Sequence, residues 1–501
     1  MEILFELIES ILDFFAESCF QNTNNSKTNK ILRSISLSFF AIIFGAVIIF
    51  ILYFGIISLR ENNVFIGIFM VSVAFFLAFG ITHKINELIK SKKENDKVKI
   101  IDGGVTAPKG FKANGVLAGI KKGRTTPDLA LIVSDVDCTA SAVYTQNLVK
   151  GAPIIVTQNN LANGKARAII CNSGNANTCN FDGIEKAERM CEIASEVTGI
   201  SKDDFIVAST GVIGQVIDLT PVEKVAQELA TGLSENGSNL AAQAIMTTDT
   251  FKKECAVEVQ IDRKTVKIGG IAKGSGMIHP NMATMLSFIT SDCAISTDMI
   301  KKAVKQAADK SFNMISVDGD TSTNDTLSLM SNGLAGNKMI DSEDENYQIF
   351  LDALTVVCTT LSKLMARDGE GATKLVICRT ENAKDFETAK TVAKSVICSS
   401  LFKAAMFGAD ANWGRVLCAI GYSGADVDVN KIDVSFVNNK GRLNVCINGS
   451  GIEFSEEKAK TILSEEEITV LVDLKQGGVM AEAFGCDLTY DYVKINGDYR
   501  T

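Results

Sequence analysis

The residues best suited to chemistry lie between positions 273 and 286, where the sequence reads KGSGMIHPNMATML. Its glycine, proline and asparagine residues predict a loop, and the apolar run that follows predicts a strand at 285–289. Thr284 stands at the junction and, taken alone, simply begins that strand. If the peptide bond before Thr284 were cleaved, its new α-amine, with a pKa of about 7.7–8.0, could act as the base for its own hydroxyl.

The histidine content narrows the chemistry further. The chain of 501 residues has only two histidines, His83 and His279. A Ser-His-Asp site or a multi-histidine metal site would have to use one or both of them. A threonine that uses its own amine as the base needs neither. The composition therefore disfavours histidine-centred catalysis.

Several other kinds of site are also disfavoured. The 13 cysteines are scattered without a CxxC pair, so we expect free thiols in a reducing compartment and no metal site. Gly274-Ser275-Gly276 lacks the third glycine of a dinucleotide-binding loop, and GEGATK at 369–374 is too short for a phosphate-binding loop. The formal net charge of −9 argues against nucleic acid as a partner.

From about residue 101 the sequence is typical of a domain with both helices and strands. A hairpin is predicted across Asp262-Arg263-Lys264. The predicted strands are 129–136, 153–157, 166–171, 205–209, 256–260, 265–268, 375–379, 431–437, 443–447, 468–474 and 492–496. The predicted helices include 183–198, 221–231, 299–308 and 389–399. This pattern predicts an α+β fold, a layered arrangement of mixed sheets covered by helices.

The N-terminal part has a different composition. Uncharged apolar runs at 34–59 and 64–82 are each long enough for a membrane-spanning helix, which needs about 20 residues. Lysine and arginine flank the pair but are scarce between the runs, which places both ends in the cytoplasm. We predict a transmembrane hairpin at 34–84 that anchors a cytoplasmic catalytic domain to the membrane. A pair of buried core helices is the alternative.

Two further segments complete the predicted organisation of the N-terminal part. An amphipathic segment occupies residues 1–33, with apolar residues at helical spacing. A charged linker at 85–100 joins the hairpin to the rest of the chain.

Many blocks within residues 101–501 resemble the ornithine acetyltransferase family, whose members are self-cleaving acetyltransferases of arginine biosynthesis. KGSGMIHPNMATML matches the family's self-cleavage site. The other blocks are GGVTAPKGFKANG from Gly103, CNSGNANTCNF from Cys171, ASTGVIG from Ala208, MTTDT from Met246, DGDTSTNDT from Asp318, DGEGATK from Asp368, MFGADANWGR from Met406 and YVKINGDYRT from Tyr492. The predicted hairpin has no counterpart in the family pattern.

The resemblance implies a self-cleaving fold of the N-terminal-threonine type. The cut would fall between Ala283 and Thr284 and leave an α chain at 101–283 and a β chain at 284–501. An α2β2 heterotetramer is then expected.

The resemblance also implies a reaction and a set of site residues. Thr284 would take the acetyl group from N2-acetylornithine and pass it to glutamate, with no cofactor, and we expect acetyl-CoA to serve as a second acetyl donor. Thr210 and Gly211 would form the oxyanion hole. The implied substrate contacts are Thr247, Lys273, Thr284, Glu370, Asn496 and Thr501.

Two other functions stay open. A membrane-tethered amidase or aminopeptidase would use the same Thr284 but would admit water after acylation. A membrane scaffold without activity is disfavoured because the catalytic positions retain their residue types. Without the resemblance, Thr210-Gly211 is an ordinary turn after a strand, and Lys273 and Glu370 are solvated loop residues.

Overall fold

The structure is a computed structural model that describes residues 49–60, 64–74, 98–279 and 285–498. The chain divides into two units, Met1–Asp96 and Lys97–Thr501. The predicted segment 1–33 and residues 85–97 of the linker predicted at 85–100 lie outside the described residues, as does most of the predicted hairpin beyond two short helices. The last two residues of that linker, 99 and 100, belong to a strand.

Those helices are α1 (Ile49–Arg60) and α2 (Val64–Ala74), both shorter than the about 20 residues that a membrane span needs. They pack at glycines: a Cβ at Gly55 would lie 3.0 Å from Val71 Cγ2, and one at Gly67 would overlap Leu59. Most of their large apolar side chains are exposed. The described residues thus do not establish a transmembrane hairpin, which remains a prediction.

A mixed sheet of nine strands forms the larger part of the second unit. Its order is β1-β6-β7-β8-β9-β3-β4-β5, with β2 paired to β3. The strands are β1 (Lys99–Ile101), β2 (Phe111–Val116), β3 (Leu129–Tyr144), β4 (Lys165–Asn172), β5 (Phe205–Ser209), β6 (Lys253–Ile261), β7 (Lys264–Lys273), β8 (Leu286–Ser291) and β9 (Thr326–Ser331). The pairs β4–β5 and β8–β9 are parallel, and the other pairs are antiparallel.

A second mixed sheet has six strands, in the order β13-β12-β11-β14-β10-β15. These are β10 (Leu375–Ala383), β11 (Asp433–Asn438), β12 (Gly441–Ile447), β13 (Ser450–Gly451), β14 (Glu467–Asp473) and β15 (Val479–Cys486). Only the β10–β14 pair is parallel among its described strands.

Helices cover both sheets. They are α3 (Ala152–Asn160), α4 (Gly183–Thr198), α5 (Thr220–Thr231), α6 (Ser238–Ala244), α7 (Thr297–Lys310), α8 (Glu345–Arg367), α9 (Phe386–Cys398), α10 (Ser400–Gly408), α11 (Trp413–Gly421), α12 (Glu456–Leu463) and α13 (Tyr490–Asp498). Short 3₁₀ helices occur at Leu161–Asn163, Lys202–Asp204, Phe312–Met314 and Val429–Lys431.

The long helix α8 lies at the centre of the largest apolar core. It packs on β6 and β7 of the first sheet and on β10 and β15 of the second. Among the described residues it alone is long and apolar enough to cross a membrane, but 56% of its most apolar window is buried in this core. The apolar composition of α8 is therefore explained by its position between two sheets.

The predicted mixture of sheets and covering helices is confirmed, and so is the hairpin. Its strands β6 and β7 pair from Lys253↔Ala272 to Ile261↔Lys264. Asp262 and Arg263 in the turn have φ of 50° and 62°. Two positive φ values are what a tight two-residue hairpin turn requires, since its twist matches that of the strands.

Two predicted strands are wrong. Residues 153–157 belong to helix α3, which has a proline in its first turn. A short apolar run does not distinguish a strand from a buried helix, and Pro153 favours a helix start. Residues 492–496 belong to helix α13, in which Asn496 lies one turn after Tyr492.

Candidate active site

The ends of three strands meet where the predicted cleavage loop leaves the first sheet. Lys273, the last residue of β7, pairs with Leu286, the first residue of β8. Leu286 in turn pairs in parallel with Thr326, the first residue of β9. The cleavage bond, between Ala283 and Thr284, lies outside the described residues. Met285, which is bonded to Thr284, is described and buried.

A cavity of about 250 Å³ opens at this edge of the sheet, and Met285 lines it. It brings together the six predicted site residues that the structure describes: Thr210, Gly211, Thr247, Lys273, Glu370 and Asn496. The two remaining predicted residues, Thr284 and Thr501, lie outside the described residues. Residues from distant parts of the sequence therefore converge beside Met285, which follows the predicted nucleophile in the sequence.

Thr210 and Gly211 follow the last residue of β5 and are held by backbone contacts. The Thr210 N–H donates to the Asn172 carbonyl at 2.9 Å. Gly211 has φ of +130°, and a Cβ there would lie 2.8 Å from backbone atoms of Gly174 and Asn175. Only glycine fits this conformation and this close approach. The close packing of this turn therefore holds the hydrogen-bond donors of Thr210 and Gly211 in fixed positions.

Asn324, which sequence reasoning missed, ties this turn to the segment before β9. Its Nδ2 donates to the carbonyls of Ser209 at 2.9 Å and Ala176 at 2.6 Å, and its Oδ1 accepts from the Thr178 hydroxyl at 2.6 Å. Asn324 lies within the motif DGDTSTNDT. The motif marked this segment as part of the family pattern, but the contacts of Asn324 could not be read from it.

Lys273 lies in the wall of the cavity and is only 9% exposed. Its ammonium has no hydrogen-bond or ion-pair partner among the described residues. Burying an unpaired cation is unfavourable, so a buried lysine of this kind is suited to an anionic ligand such as a carboxylate.

Beneath Lys273 lies a buried ion triad of Asp249, Lys253 and Asp368. Lys253 Nζ lies 2.6 Å from Asp249 Oδ1 and 2.5 Å from Asp368 Oδ2. Burial would raise the pKa of Asp249, but the Lys253 ammonium, the Lys273 ammonium and other contacts outweigh burial and lower it to about 2. The Asp249 carboxyl group therefore stays ionised inside the protein.

The triad also holds the backbone of the site. Asp249 accepts hydrogen bonds from the Thr247 N–H at 2.9 Å and the Gly274 N–H at 2.7 Å. Asp368 accepts from the Thr250 N–H and hydroxyl. Sequence reasoning missed the triad because Lys253 and Asp368 are 115 positions apart. Its effect is to fix the segments that carry Thr247 and Lys273.

Glu370 and Asn496 form a hydrogen-bonded pair on another wall. Asn496 Nδ2 donates to Glu370 Oε2 at 2.7 Å. The Glu370 carboxylate lies so close to Gly276 that a Cβ at Gly276 would overlap it, and the Glu370 N–H donates to the Ser275 carbonyl at 2.9 Å. Glu370 is 8% exposed and has no ion-pair partner among the described residues. It is therefore suited to a cationic group.

Two titratable groups near the loop have unusual environments. Burial raises the pKa of Asp325, a cavity residue missed by sequence reasoning, well above its usual range. Burial and then the Lys394 ammonium lower the pKa of His279 to about 4, so its imidazole is neutral at pH 7. His279 Nδ1 lies 3.0 Å from Ser316 Oγ and His279 is not part of the cavity lining.

Comparisons with known proteins find one family that is similar to this chain over most of its length. Residues 112–501 match the ArgJ family. The arginine biosynthesis bifunctional protein ArgJ of Caldanaerobacter subterraneus is 50% identical over 405 residues, which cover 81% of this chain and 100% of that protein. The glutamate N-acetyltransferase of Methanocaldococcus jannaschii is 44% identical over 412 residues, covering 81% and 100%.

Among solved structures, this chain is similar to the ArgJ protein of Bacillus halodurans, with 42% identity and a TM-score of 0.41. The match covers 42% of this chain and 98% of that chain. It is also similar to ornithine acetyltransferase of Mycobacterium tuberculosis complexed with ornithine, with 34% identity, a TM-score of 0.35 and coverage of 37% and 100%. The match over residues 112–501 and the identity to full-length relatives show that this chain belongs to the ArgJ family.

Proposed function

We propose that this protein is a self-cleaving acetyltransferase that moves the acetyl group of N2-acetylornithine to glutamate through an acetyl-Thr284 intermediate. The observation that carries the proposal is the cavity beside Met285, which is lined by Thr210 and Gly211, by the buried Lys273 and by the buried Glu370. The names of the relatives, which include glutamate N-acetyltransferase, support the same reaction.

Self-cleavage comes first and creates the base. The Thr284 hydroxyl attacks the Ala283 carbonyl, the C–N bond between them breaks, and the released amine takes the proton from the hydroxyl. Water then hydrolyses the resulting ester, which frees the Ala283 carboxylate and regenerates the Thr284 hydroxyl. The products are the α chain ending at Ala283 and the β chain beginning at Thr284.

Acetyl transfer then uses the new N-terminus. The Thr284 amine removes the proton from its own hydroxyl, which attacks the acetyl carbonyl of N2-acetylornithine and expels ornithine. The Thr210 hydroxyl and the Gly211 N–H would stabilise the oxyanion, and one such donor contributes about 3–4 kcal/mol. Glutamate then takes the acetyl group from Thr284. The mechanism is ping-pong.

The cavity offers a partner for each charged group of the substrates. Lys273 would bind the α-carboxylate that acetylornithine and glutamate share. Glu370 would bind the side-chain ammonium of ornithine or orient the Thr284 amine. Thr247, Asn496 and Thr501 complete the proposed substrate contacts.

Acetyl-CoA is proposed as a second donor for the same Thr284, with no other cofactor. The support is the word "bifunctional" in the names of several relatives. Formation of N-acetylglutamate with acetyl-CoA as the sole donor would test this proposal, and a rate equal to that without enzyme would contradict it.

The main test is transfer of a labelled acetyl group from N2-acetylornithine to glutamate by the purified full-length chain. Labelled N-acetylglutamate is expected; release of labelled acetate alone would favour the amidase function instead. Thr284→Ala should remain a single chain of 53.8 kDa and transfer no acetyl group. A cleaved and active Thr284→Ala enzyme would refute the assignment of the nucleophile.

We further propose that residues 34–84 form a membrane hairpin with the catalytic domain in the cytoplasm. The apolar side chains exposed on α1 and α2 support this; Phe65, for example, is 87% exposed. The chain should stay in the membrane fraction after a carbonate wash, and fusions of the C-terminus to phosphatase should be inactive. Full extraction by carbonate would contradict the anchor.

The assembly is proposed to be an α2β2 heterotetramer. Light scattering after size-exclusion chromatography in detergent should give two copies of each chain per particle. A mass for one α and one β chain would contradict this proposal.

A further inference from the structure

The segment 317–326, which ends at the first residue of β9, contacts both flanks of the loop that contains the cleavage bond. Upstream of that bond, the Val317 N–H donates to the Ile278 carbonyl at 2.7 Å, and the Thr321 hydroxyl donates to the His279 carbonyl at 2.9 Å. Downstream, the Thr326 N–H donates to the Met285 carbonyl at 2.9 Å. One continuous segment thus holds the loop before and after the scissile bond.

Asp318 makes the strongest of the upstream contacts. Its Oδ2 accepts from the Met277 N–H at 2.6 Å and its Oδ1 accepts from the Ile278 N–H at 2.8 Å. Met277 has φ of +56°, a left-handed conformation that side-chain-bearing residues rarely adopt. Successive N–H groups that converge in this way form an anion-binding concavity. The carboxylate therefore stabilises a backbone turn that would otherwise be unfavourable.

Asp325 occupies the corresponding position on the downstream flank. It is 2% exposed, and the Met285 N–H faces its carboxyl group. Its Oδ2 has no hydrogen-bond partner among the described residues. The two carboxyl groups of the segment thus meet backbone N–H groups on opposite sides of the scissile bond.

We propose that the segment 317–326 is the template that positions the loop for self-cleavage, with Asp318 and Asp325 as positioning residues. The proposal rests on the self-cleavage step of the proposed function. For Thr284 Oγ to attack the preceding carbonyl, the two atoms must be held at close range, and fixing both flanks of a short loop restricts it to such conformations. Neither aspartate exchanges a proton with the reacting atoms in this role.

The first test measures the rate of cleavage of newly synthesised full-length chain by pulse-chase, with the fragment that begins at Thr284 identified by N-terminal sequencing. Asp318→Asn places an amide NH₂ where one N–H now finds an acceptor, and we expect cleavage at least about tenfold slower, since hydrogen bonds to a charged group are among the strong ones. Thr321→Val removes a single contact from the same flank and should slow cleavage several-fold.

Asp292→Asn is the matched control. Asp292 is fully buried and, like Asp318, accepts two backbone N–H groups, from Lys267 at 2.8 Å and Lys109 at 3.1 Å. It follows the far end of β8, away from the loop. The Asp292→Asn chain should be cleaved at the wild-type rate even if its Tm falls.

Asp325 is tested with a pair of variants. Asp325→Asn keeps an oxygen that can accept from the Met285 N–H, whereas Asp325→Leu does not. We expect cleavage by Asp325→Leu to be at least about tenfold slower than by Asp325→Asn. Equal rates for the two would remove Asp325 from the template.

Hydroxylamine shows which step a substitution slows, the formation of the Thr284 ester or its hydrolysis. Hydroxylamine cleaves esters, so it speeds up cleavage of a chain that forms the Thr284 ester but hydrolyses that ester slowly. Asp318→Asn should not be rescued, because the template acts before the ester forms. Rescue of Asp318→Asn to the wild-type rate would overturn the template inference but not the self-cleavage step. Cleavage of Asp318→Asn as fast as that of Asp292→Asn would have the same meaning. A wild-type chain that is never cut before Thr284 would overturn the self-cleavage step itself.

Discussion

Two sets of buried charges lie side by side in the site and are used in different ways. In the triad, Lys253 pairs with both Asp249 and Asp368, and the carboxylates also accept hydrogen bonds from backbone N–H groups. The charged groups in the cavity wall, Lys273 and Glu370, form no ion pair among the residues that the structure describes. A buried charge with an ion-pair partner stabilises the fold, whereas a buried charge without one is available to bind a ligand. The comparison predicts which substitutions affect stability and which affect turnover.

The largest effect is expected from Lys253→Met. It leaves two buried carboxylates without their cation, and breaking a buried pair costs about 3–5 kcal/mol. Tm measured by circular dichroism should fall by many degrees. The neighbouring Lys252 is 39% exposed and pairs with Glu254 at the surface, so Lys252→Met is the control and should change Tm little. Equal falls in Tm for the two variants would contradict the prediction that the buried Lys253 contributes more to stability than the exposed Lys252.

Lys273→Met should show the opposite pattern. Loss of a charge-assisted hydrogen bond to a substrate carboxylate, worth about 1.5–3 kcal/mol, lowers kcat/KM by about 10- to 150-fold. Tm should not fall, because the ammonium has no described partner to lose. A fall in Tm like that of Lys253→Met, with kcat/KM unchanged, would show that Lys273 stabilises the fold and does not bind the substrate.

Glu370→Gln is expected to have a smaller effect, of about tenfold on kcat/KM for N2-acetylornithine. The substitution removes the charge but keeps an oxygen for Asn496, so the wall itself should be preserved. Glu467→Gln, at an exposed position on β14, is the control. Wild-type kinetics for Glu370→Gln would show that the charge does not act on the substrate.

The smallest effect concerns pH and compares Asp249 with Asp325. The pKa of Asp249 is lowered to about 2 by its partners, below the value of about 3.9 in an unfolded chain. Its stabilisation is therefore full above about pH 4 and is lost as the pH falls towards 2. The pKa of Asp325 is raised, so its contribution has the opposite sign, and stability decreases as the pH rises above about 4.

This difference can be measured with the uncut chain. In a Thr284→Ala background, Asp325→Asn should raise Tm by a few degrees at pH 8 and by less at pH 5, because asparagine cannot ionise. A larger gain at pH 5 than at pH 8 would contradict the sign.

The sequence predicted six residues that line the cavity but little of what supports them. Thr210, Gly211, Lys273 and Glu370 lie in long blocks of motif, so a resemblance could assign them before any geometry was known. The triad could not be found in this way, because the pairing of Lys253 with Asp368 depends on how α8 packs against β6. The template segment was visible as DGDTSTNDT, yet only the fold shows that it holds both flanks of the loop.

The fold was predicted where local signals were strong. Asp262 and Arg263 marked the β6–β7 turn, and alternation marked the strands beside it. The prediction failed at 153–157 and 492–496, where the apolar run was short and tertiary packing decided between helix and strand. The second failure mattered for the site, since helix α13 carries Asn496 to Glu370.

The order of strands in the first sheet has a consequence for the protein after it is cut. Strands β8 and β9 would belong to the β chain, yet they lie between β7 and β3, which would belong to the α chain. One sheet is then shared by two polypeptides, interleaved so that neither can leave without breaking strand pairing on both sides. The uncut precursor folds as a single molecule, but refolding of the denatured enzyme becomes a bimolecular reaction that depends on concentration. Maturation would therefore make refolding depend on an encounter between two chains, which the uncut precursor does not need.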